Sequence, residues 1–339
     1  MINKKKRILI VGSKEFFSLE LMYCRAFKSL NHEVKLLHIY NIKKNLIRKI
    51  FWKFFKFIHF IFYRKQLLKY LKNHNKNYDL IIIFKGIYLN NKTIINCKKI
   101  CKNSVFINFF SDDPFELSNY HDISNNSVLS SIKYYDFFFI WSQKLCGKIK
   151  KKLKMKNVVY LPFGYDQYIH KKKIIKKNPK FDLFFFGAAD KQRIKIINKL
   201  KNYKVIVAGL GWKNKNLSSK IKIINKIINA NEISRIIQNS KITLNILRKQ
   251  NYGSNNMKTF EITSMNGLML TKRTKEQKIF FPENKSCLMY GNISELLVKT
   301  KAVTANYKNF LKVRLMGNKL SQGHSYKNRA KFILKEIDK

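Results

Sequence analysis

Acidic residues are scarce: 19 Asp and Glu stand against 70 Lys and Arg, a formal net charge of +51. That balance favours anionic partners such as nucleic acid, acidic lipid or phosphorylated substrates. Lys, Asn, Ile, Phe and Tyr nevertheless crowd strands and loops alike, so half of the excess is treated as compositional background. Cysteine is also sparse. Cys24, Cys97, Cys101, Cys146 and Cys287 form an odd, scattered set with no C-x-x-C pair and no His at ligand spacing, which argues against a disulfide framework and against zinc. Cys97 and Cys101, at i and i+4 of an expected helix, are in reach of a shared metal, but two small apolar residues on one face is the favoured reading, and no metal is expected. No run of 18 uncharged apolar residues is present. The apolar run 8–11 behind the basic residues 1–7 is too short for a secretion signal, so a cytoplasmic protein is expected.

What is present is enough apolar residue, 45% hydrophobic and 14% aromatic over 339 residues, for two globular cores. The first half alternates short apolar runs with amphipathic stretches: Ile8-Leu-Ile-Val11, an amphipathic segment 16–30, a strand 34–39, then Leu80-Ile-Ile-Ile-Phe84, Val105-Phe-Ile-Asn-Phe109 and the run 136–141. Continuous apolar runs of this kind suit parallel strands buried on both faces. After a polar, lysine-rich stretch the rhythm restarts at Phe181-Asp-Leu-Phe-Phe-Phe186 and continues through 204–208, 241–246, 268–270 and 287–290. The fold class is therefore α/β, two tandem Rossmann-like domains. Their expected limits are 1–165, a linker 166–180, 181–325, and a closing helix 326–339.

The strongest motif is Asn255-Asn-Met-Lys-Thr-Phe-Glu-Ile-Thr-Ser-Met-Asn-Gly267, a polar loop entering a helix that ends at a glycine before a strand. A helix N-terminus offers N–H groups to phosphate, Lys258 adds a point charge, and Glu261, one turn further on, is placed to accept hydrogen bonds from ribose hydroxyls. A capped surface helix with an exposed Glu is the alternative from spacing alone.

The segment Lys258-Thr-Phe-Glu-Ile-Thr-Ser-Met-Asn-Gly-Leu-Met-Leu-Thr271 resembles the signature of the CgeB-like glycosyltransferases, a family of GT-B fold. Phe280-Phe-Pro-Glu-Asn-Lys285, Cys287-Leu-Met-Tyr290, Ser294-Glu-Leu-Leu297 and Gly323-His-Ser-Tyr-Lys-Asn-Arg329 follow in the order of that family's later elements. Gly187 with Arg193 and Tyr160-Leu-Pro-Phe-Gly-Tyr-Asp166 look like its donor-domain opening and inter-domain segment. The resemblance spans most of 80–335 and implies two domains facing across a cleft, with a nucleotide-sugar donor on the second. It implies that Glu261 holds the ribose, that Lys258, Arg193 and the amides after Gly187 hold the diphosphate, and that Asn255, Asn256 and Thr259 line the loop. Lys258 stands where the family usually has Arg, a point charge in place of a bidentate fork. The glutamate that many retaining enzymes carry eight residues before Glu261 is Gly253 here. No cofactor is implied beyond the donor, whose base is left open.

Other candidates are weaker. Gly209-Leu-Gly-Trp-Lys-Asn214 lacks the third glycine of a dinucleotide fingerprint and reads first as a tight βα turn. Asp112 and Asp113 follow a strand as D-D-P, without the D-x-D of metal-dependent enzymes, which leaves Asp112 a role orienting an acceptor hydroxyl and Asp113 a turn. His121 and His324 each stand alone and are read as solvated or packed. Residues 43–73 form a basic, aromatic amphipathic stretch, with Phe51, Phe54, Phe55, Ile58 and Phe62 on one side; it fits an anionic membrane surface or a wide core-facing helix.

The reading that follows is a glycosyltransferase, retaining and metal-independent, that moves a sugar from a nucleotide-sugar to a glycan, lipid-linked or protein acceptor. The residues expected to carry chemistry are Glu261, Lys258 and Asp112. The alternatives are a basic nucleic-acid-binding protein, disfavoured because the charge follows no stripe or recognised module and no specific nucleic acid is expected, and a degenerate enzyme serving as a membrane-surface scaffold.

Overall fold

The computed structural model describes residues 4–38, 56–74, 78–116, 125–176, 178–213, 215, 217–248 and 251–339. The chain forms two compact units, Met1–Pro162 with Arg329–Lys339, and Phe163–Asn328.

The first unit is built on six parallel strands: β1 Arg7–Val11, β2 Glu33–Leu37, β3 Leu80–Phe84, β4 Val105–Phe110, β5 Phe137–Ile140 and β6 Val158–Tyr160, in the spatial order β2-β1-β3-β4-β5-β6. All five residues of β3 are buried, as a strand covered on both faces requires. Between the strands run α1 Leu19–Lys28, α2 Lys56–Asn73, α3 Asn91–Ile100, α4 Asn125–Ser131 and α5 Gln143–Leu153. Ser18, Asn90 and Ser142 begin α1, α3 and α5 by accepting a backbone N–H from the first turn. Because β1 has β2 on one side and β3 on the other, the topological switch point lies between β1 and β3.

The second unit repeats the plan with β7 Phe181–Phe186, β8 Val205–Ala208, β9 Lys222–Ile224, β10 Ser240–Asn245, β11 Met269–Lys272 and β12 Leu288–Tyr290, ordered β12-β11-β10-β7-β8-β9 and again all parallel. Its helices are α6 Lys191–Lys199, α7 Ala230–Gln238, α8 Met257–Ser264, α9 Lys275–Phe280, α10 Ile293–Ala305 and α11 Leu311–Ser321, followed by α12 Tyr326–Ile337. Leu183, Phe185, Val207, Leu244, Leu270 and Trp212 are central to its core. Here the switch point lies between β7 and β10.

The boundaries of the two units do not coincide with the expected limits. The stretch 166–180, expected as a linker, falls within the second unit: Asp166 and His170 are buried, and Ser234 on α7 donates to the Lys171 carbonyl at 2.8 Å. A lysine-rich sequence reads as solvated, yet its backbone and its one histidine are engaged. The C-terminal helix is divided by the unit boundary at Arg329, and its last residues group with the first unit, where Asp338 pairs with Lys6 at 2.9 Å. Of 43–73, residues 43–55 and the side chains of 56–59 lie outside the described residues; beyond them α2 buries Phe60, Tyr63, Leu67 and Leu71, while Phe62 is 61% exposed. His121 also lies outside the described residues.

Candidate active site

The second unit gathers its charged groups at the carboxyl ends of β7 and β10. Strand β7 stops at Gly187, whose φ of +141° suits only glycine, and a Cβ there would sit 3.2 Å from the Lys258 ammonium. Gly209, at the end of β8, presses closer still: its Cβ would stand 2.3 Å from the Gly187 carbonyl, which also accepts the Trp212 indole N–H at 2.8 Å. The segment 209–212 is thus a turn that supports the end of β7, but it leads to β9 without a helix among the described residues, so it is not the βα turn expected.

Asp190 caps α6 by accepting the Arg193 N–H at 2.9 Å, and this first turn fixes Arg193. The buried Arg193 guanidinium donates to the Ala188 carbonyl at 2.8 Å and to the Ile246 carbonyl at 3.4 Å, so it spans the switch point between β7 and β10. Its Nε lies 3.4 Å from Asp190, which Arg248, just past β10, approaches to 3.7 Å.

Helix α8 delivers Lys258 and Glu261, three residues apart and therefore on neighbouring faces of one turn. The start of that helix is held by a reciprocal capping box between Asn256 and Thr259. The Lys258 ammonium stands 5.3 Å over the Phe186 ring. Glu261 is 8% exposed, and its Oε1 lies 3.7 Å from His170 Nε2. His170 Nδ1 accepts the Asp166 N–H at 3.0 Å, which assigns the proton of a neutral imidazole to Nε2, facing the carboxylate.

Burial sets the electrostatics of this group. It pushes the Lys258 ammonium below its ordinary value, with like charge from Arg193 and Arg248 adding to the effect and Glu261 opposing it. Burial pushes the Glu261 carboxyl up, and Lys258 holds it back. Burial likewise lowers Arg193, to about 10, helped by Arg248 and resisted by Asp190. Three cations, Lys258, Arg193 and Arg248, surround two carboxylates, Glu261 and Asp190, so the site carries an excess of positive charge and is complementary to a buried anion.

Of the residues expected from sequence, Gly187, Arg193, Lys258 and Glu261 converge at this edge. Asn255 and Thr259, expected to line the loop, are both fully buried. Asn255 donates to Glu276 at 2.9 Å, and Thr259 bonds Gln277 at 2.9 Å, because polar groups at such depth need internal partners. Asn256 serves as the helix cap. The Ala189 amide, one of those after Gly187, donates to the Leu210 carbonyl at 2.9 Å. His170 and Arg248 were not among the expected residues; the position of Arg248 just past an apolar strand was the only signal for either. His324 packs among the rings of Phe260, Phe280 and Phe281. Among the described residues no three His, Cys, Asp or Glu side chains form a metal-binding group.

Asp112 belongs to the first unit, two residues past β4, where Lys85 pairs with it at 2.8 Å. Asp113 accepts the Phe115 N–H at 2.8 Å and so forms the expected turn.

Residues 191–335 match the model of a glycosyl transferase-like family. No curated protein matches the sequence closely enough to stand as a relative. Among solved structures, sucrose-phosphate synthase from Thermosynechococcus elongatus is 9% identical with a TM-score of 0.70, covering 98% of both chains. HepE of Anabaena, in complex with UDP and glucose, is 11% identical with a TM-score of 0.65, covering 98% of this chain and 99% of that one. BGT of T4 phage, in complex with UDP-glucose, is 12% identical with a TM-score of 0.57, covering 98% of this chain and all of that one. At these identities the likeness establishes the fold, two Rossmann-like domains of the GT-B type, and the family match, which begins at α6, includes Lys258 and Glu261. The chain has the GT-B fold, and its residues 191–335 are similar to a glycosyl transferase-like family.

Proposed function

We propose that the second domain binds a nucleotide-sugar donor across the carboxyl ends of β7 and β10, with its diphosphate on Lys258 and Arg193 and its ribose on Glu261. The observation that carries this reading is the buried Glu261 carboxylate on the same helical turn as Lys258, beside a switch point spanned by Arg193. As the bond from the sugar to the diphosphate breaks, negative charge grows on the departing phosphate, and cations already fixed in place stabilise it without reorganising. Lys258 and Arg193 are those cations. In the retaining, metal-independent scheme, the departing phosphate oxygen takes the proton of the acceptor hydroxyl while the new bond forms on the face just vacated. His170, with Nε2–H toward Glu261, orients the carboxylate for the ribose.

The acceptor is a glycan, lipid-linked or protein hydroxyl oriented by Asp112, and the enzyme works in the cytoplasm, meeting anionic membrane through 43–73. Liposome sedimentation tests the last point: failure to bind anionic vesicles at low salt removes it. The donor site is tested by thermal shift with UDP, GDP, ADP, CMP and dTDP and their sugars on the wild type and Glu261→Ala. Uridine compounds head the panel because HepE and BGT were solved with UDP and UDP-glucose. A ligand at 100 times its Kd adds about 2.7 kcal/mol. A shift with one nucleotide, lost in the variant, supports the reading; no shift with any of them leaves the scaffold alternative.

A further inference from the structure

The second unit holds a cavity of about 620 Å³ at the other end of its sheet from Lys258 and Glu261. Asn239, which lines it, directly precedes β10, and its carbonyl accepts the Phe181 N–H at 3.0 Å, so the cavity lies at the amino ends of β7 and β10. Strand β10 is six residues long, which puts roughly 17 Å of backbone between the two ends. One wall is the last turn of α7 and its cap, with Arg235, Ile236 and Asn239; the other is the segment before β7, with Lys173, Ile174 and Lys176. Ser234 on α7 ties the walls together by donating to the Lys171 carbonyl at 2.8 Å. Behind them Gln238 is buried and already committed: its amide donates to the Met265 carbonyl at 2.6 Å and its oxygen accepts from Arg314 at 2.7 Å. Asn239 Oδ1 accepts the Lys180 N–H at 3.0 Å, which leaves Nδ2 as the donating end of that side chain.

Lys173, Lys176 and Arg235 bring three positive charges to this cavity, and among the described residues no carboxylate pairs with any of them. The carboxylates of the second unit are all engaged elsewhere. Asp182 pairs with Lys241, Asp190 with Arg193, Glu232 with Lys226, Glu261 with His170, and Glu283 and Glu295 with Arg273. Asp166 accepts the Tyr168 N–H, and Glu276 accepts the Asn255 amide. The carboxyl end of α7 also lies here and contributes about half a negative charge, which three whole positive charges outweigh. The volume is more than a bare phosphate fills and falls within the about 300–1,000 Å³ of small-molecule sites. Ile236 and Ile174, the latter 92% exposed, supply apolar surface beside the cations. We infer that this cavity binds a small phosphate monoester, with its phosphate on Lys173, Lys176 and Arg235 and its organic part against Ile174 and Ile236. Arg235 offers a planar fork to two phosphate oxygens, and the lysines offer point charges. None of these residues belongs to the proposed donor site, so the inference does not rest on where a nucleotide binds.

Titration calorimetry on the full chain tests this, with phenyl phosphate as the probe and inorganic phosphate and phenol as its two halves. The salt is set at about 0.15 M, where a Debye length of about 8 Å suppresses diffuse attraction to so basic a chain. Phenyl phosphate should bind more tightly than either half. The triple variant Lys173→Ser, Lys176→Ser, Arg235→Ser should weaken it at least about tenfold. Lys258→Met should leave it unchanged, and so should Lys150→Ser, Lys151→Ser, Lys152→Ser on α5, which removes as much charge from the first unit. Ile174→Asp keeps all three cations, changes a side chain already in solvent and places a carboxylate at the cavity; it should weaken phenyl phosphate without lowering Tm. No binding of phenyl phosphate, binding no tighter than that of inorganic phosphate, or an equal loss in the α5 variant overturns the inference. Loss in Lys258→Met overturns it too, since the probe would then sit at the carboxyl ends of β7 and β10. Vesicles of phosphatidic acid carry the same monoester on a lipid, and binding to them with none of free phenyl phosphate would replace a soluble ligand by a membrane surface. Absence of any nucleotide-induced thermal shift, with phenyl phosphate still bound, would instead overturn only the donor reading.

Discussion

The side-chain amides of Asn245 and Asn256 bond each other twice, at 3.0 and 2.9 Å, tying the end of β10 to the cap of the helix that carries Lys258 and Glu261. Asn245 is fully buried and also donates to the Thr259 hydroxyl at 3.2 Å. Asn245→Ala strands buried partners on Asn256 and Thr259, at a cost of about 1–3 kcal/mol. Urea unfolding should show that loss, and calorimetry should show weaker nucleotide binding although no ligand-facing group has changed.

The Lys258–Glu261 pair predicts a narrow pH optimum for nucleotide affinity. Binding as proposed needs an ionised carboxylate and a charged ammonium; burial raises the former and lowers the latter, so both limbs of the profile move inward from their ordinary positions. Lys258→Met should abolish the alkaline limb and move the acid limb upward, because Lys258 is what holds the Glu261 carboxyl down. Titration calorimetry across the neutral range reads both limbs; an acid limb that stays in place would count against the pairing.

The parts legible in the sequence were those whose cause is local. Continuous apolar runs such as 80–84 declared themselves as strands because parallel strands are buried on both faces, and Lys258 and Glu261 stood out because one helical turn fixes their spacing. His170 and Arg248 depend on chain segments far away in sequence, and among 70 Lys and Arg and 7 His neither charge nor composition marks them. The internal partners of Asn255 and Thr259 were not legible, because Glu276 and Gln277, which they bond, lie 21 and 18 residues further along the chain.

Acid sensitivity should concentrate on Arg273. It holds Glu283 through two hydrogen bonds at 2.8 and 2.6 Å and Glu295 at 2.9 Å, and Lys299 adds a contact to Glu283 at 2.7 Å. The hydrogen bonds from Arg273 bring both carboxyls down to about 2. Since folded values lie below unfolded ones, the stabilisation is complete above about pH 5 and is lost as pH falls toward 2. Solvent screening limits each partly exposed pair to about 1 kcal/mol or less. Arg273→Met should lower Tm at neutral pH and flatten the fall of Tm with acid.

Gly209 should tolerate substitution least of the glycines near the carboxyl end of β7. Its φ is +143°, and an added Cβ would meet the Gly187 carbonyl carbon at 2.5 Å as well as its oxygen at 2.3 Å, both backbone atoms that no rotamer change can move aside. At Gly187 the nearest obstacle is the Lys258 ammonium at 3.2 Å, the far end of a flexible chain. Backbone strain of this kind costs about 1–3 kcal/mol, and the clash adds to it. Gly209→Ala should therefore destabilise the second unit more than Gly187→Ala in urea unfolding, whereas Gly187→Ala should act chiefly on nucleotide affinity by displacing Lys258. Equal unfolding midpoints for the two variants would mean that β7 and β8 can separate at their ends without cost, and the close approach of Gly209 to Gly187 would then have no part in shaping the site.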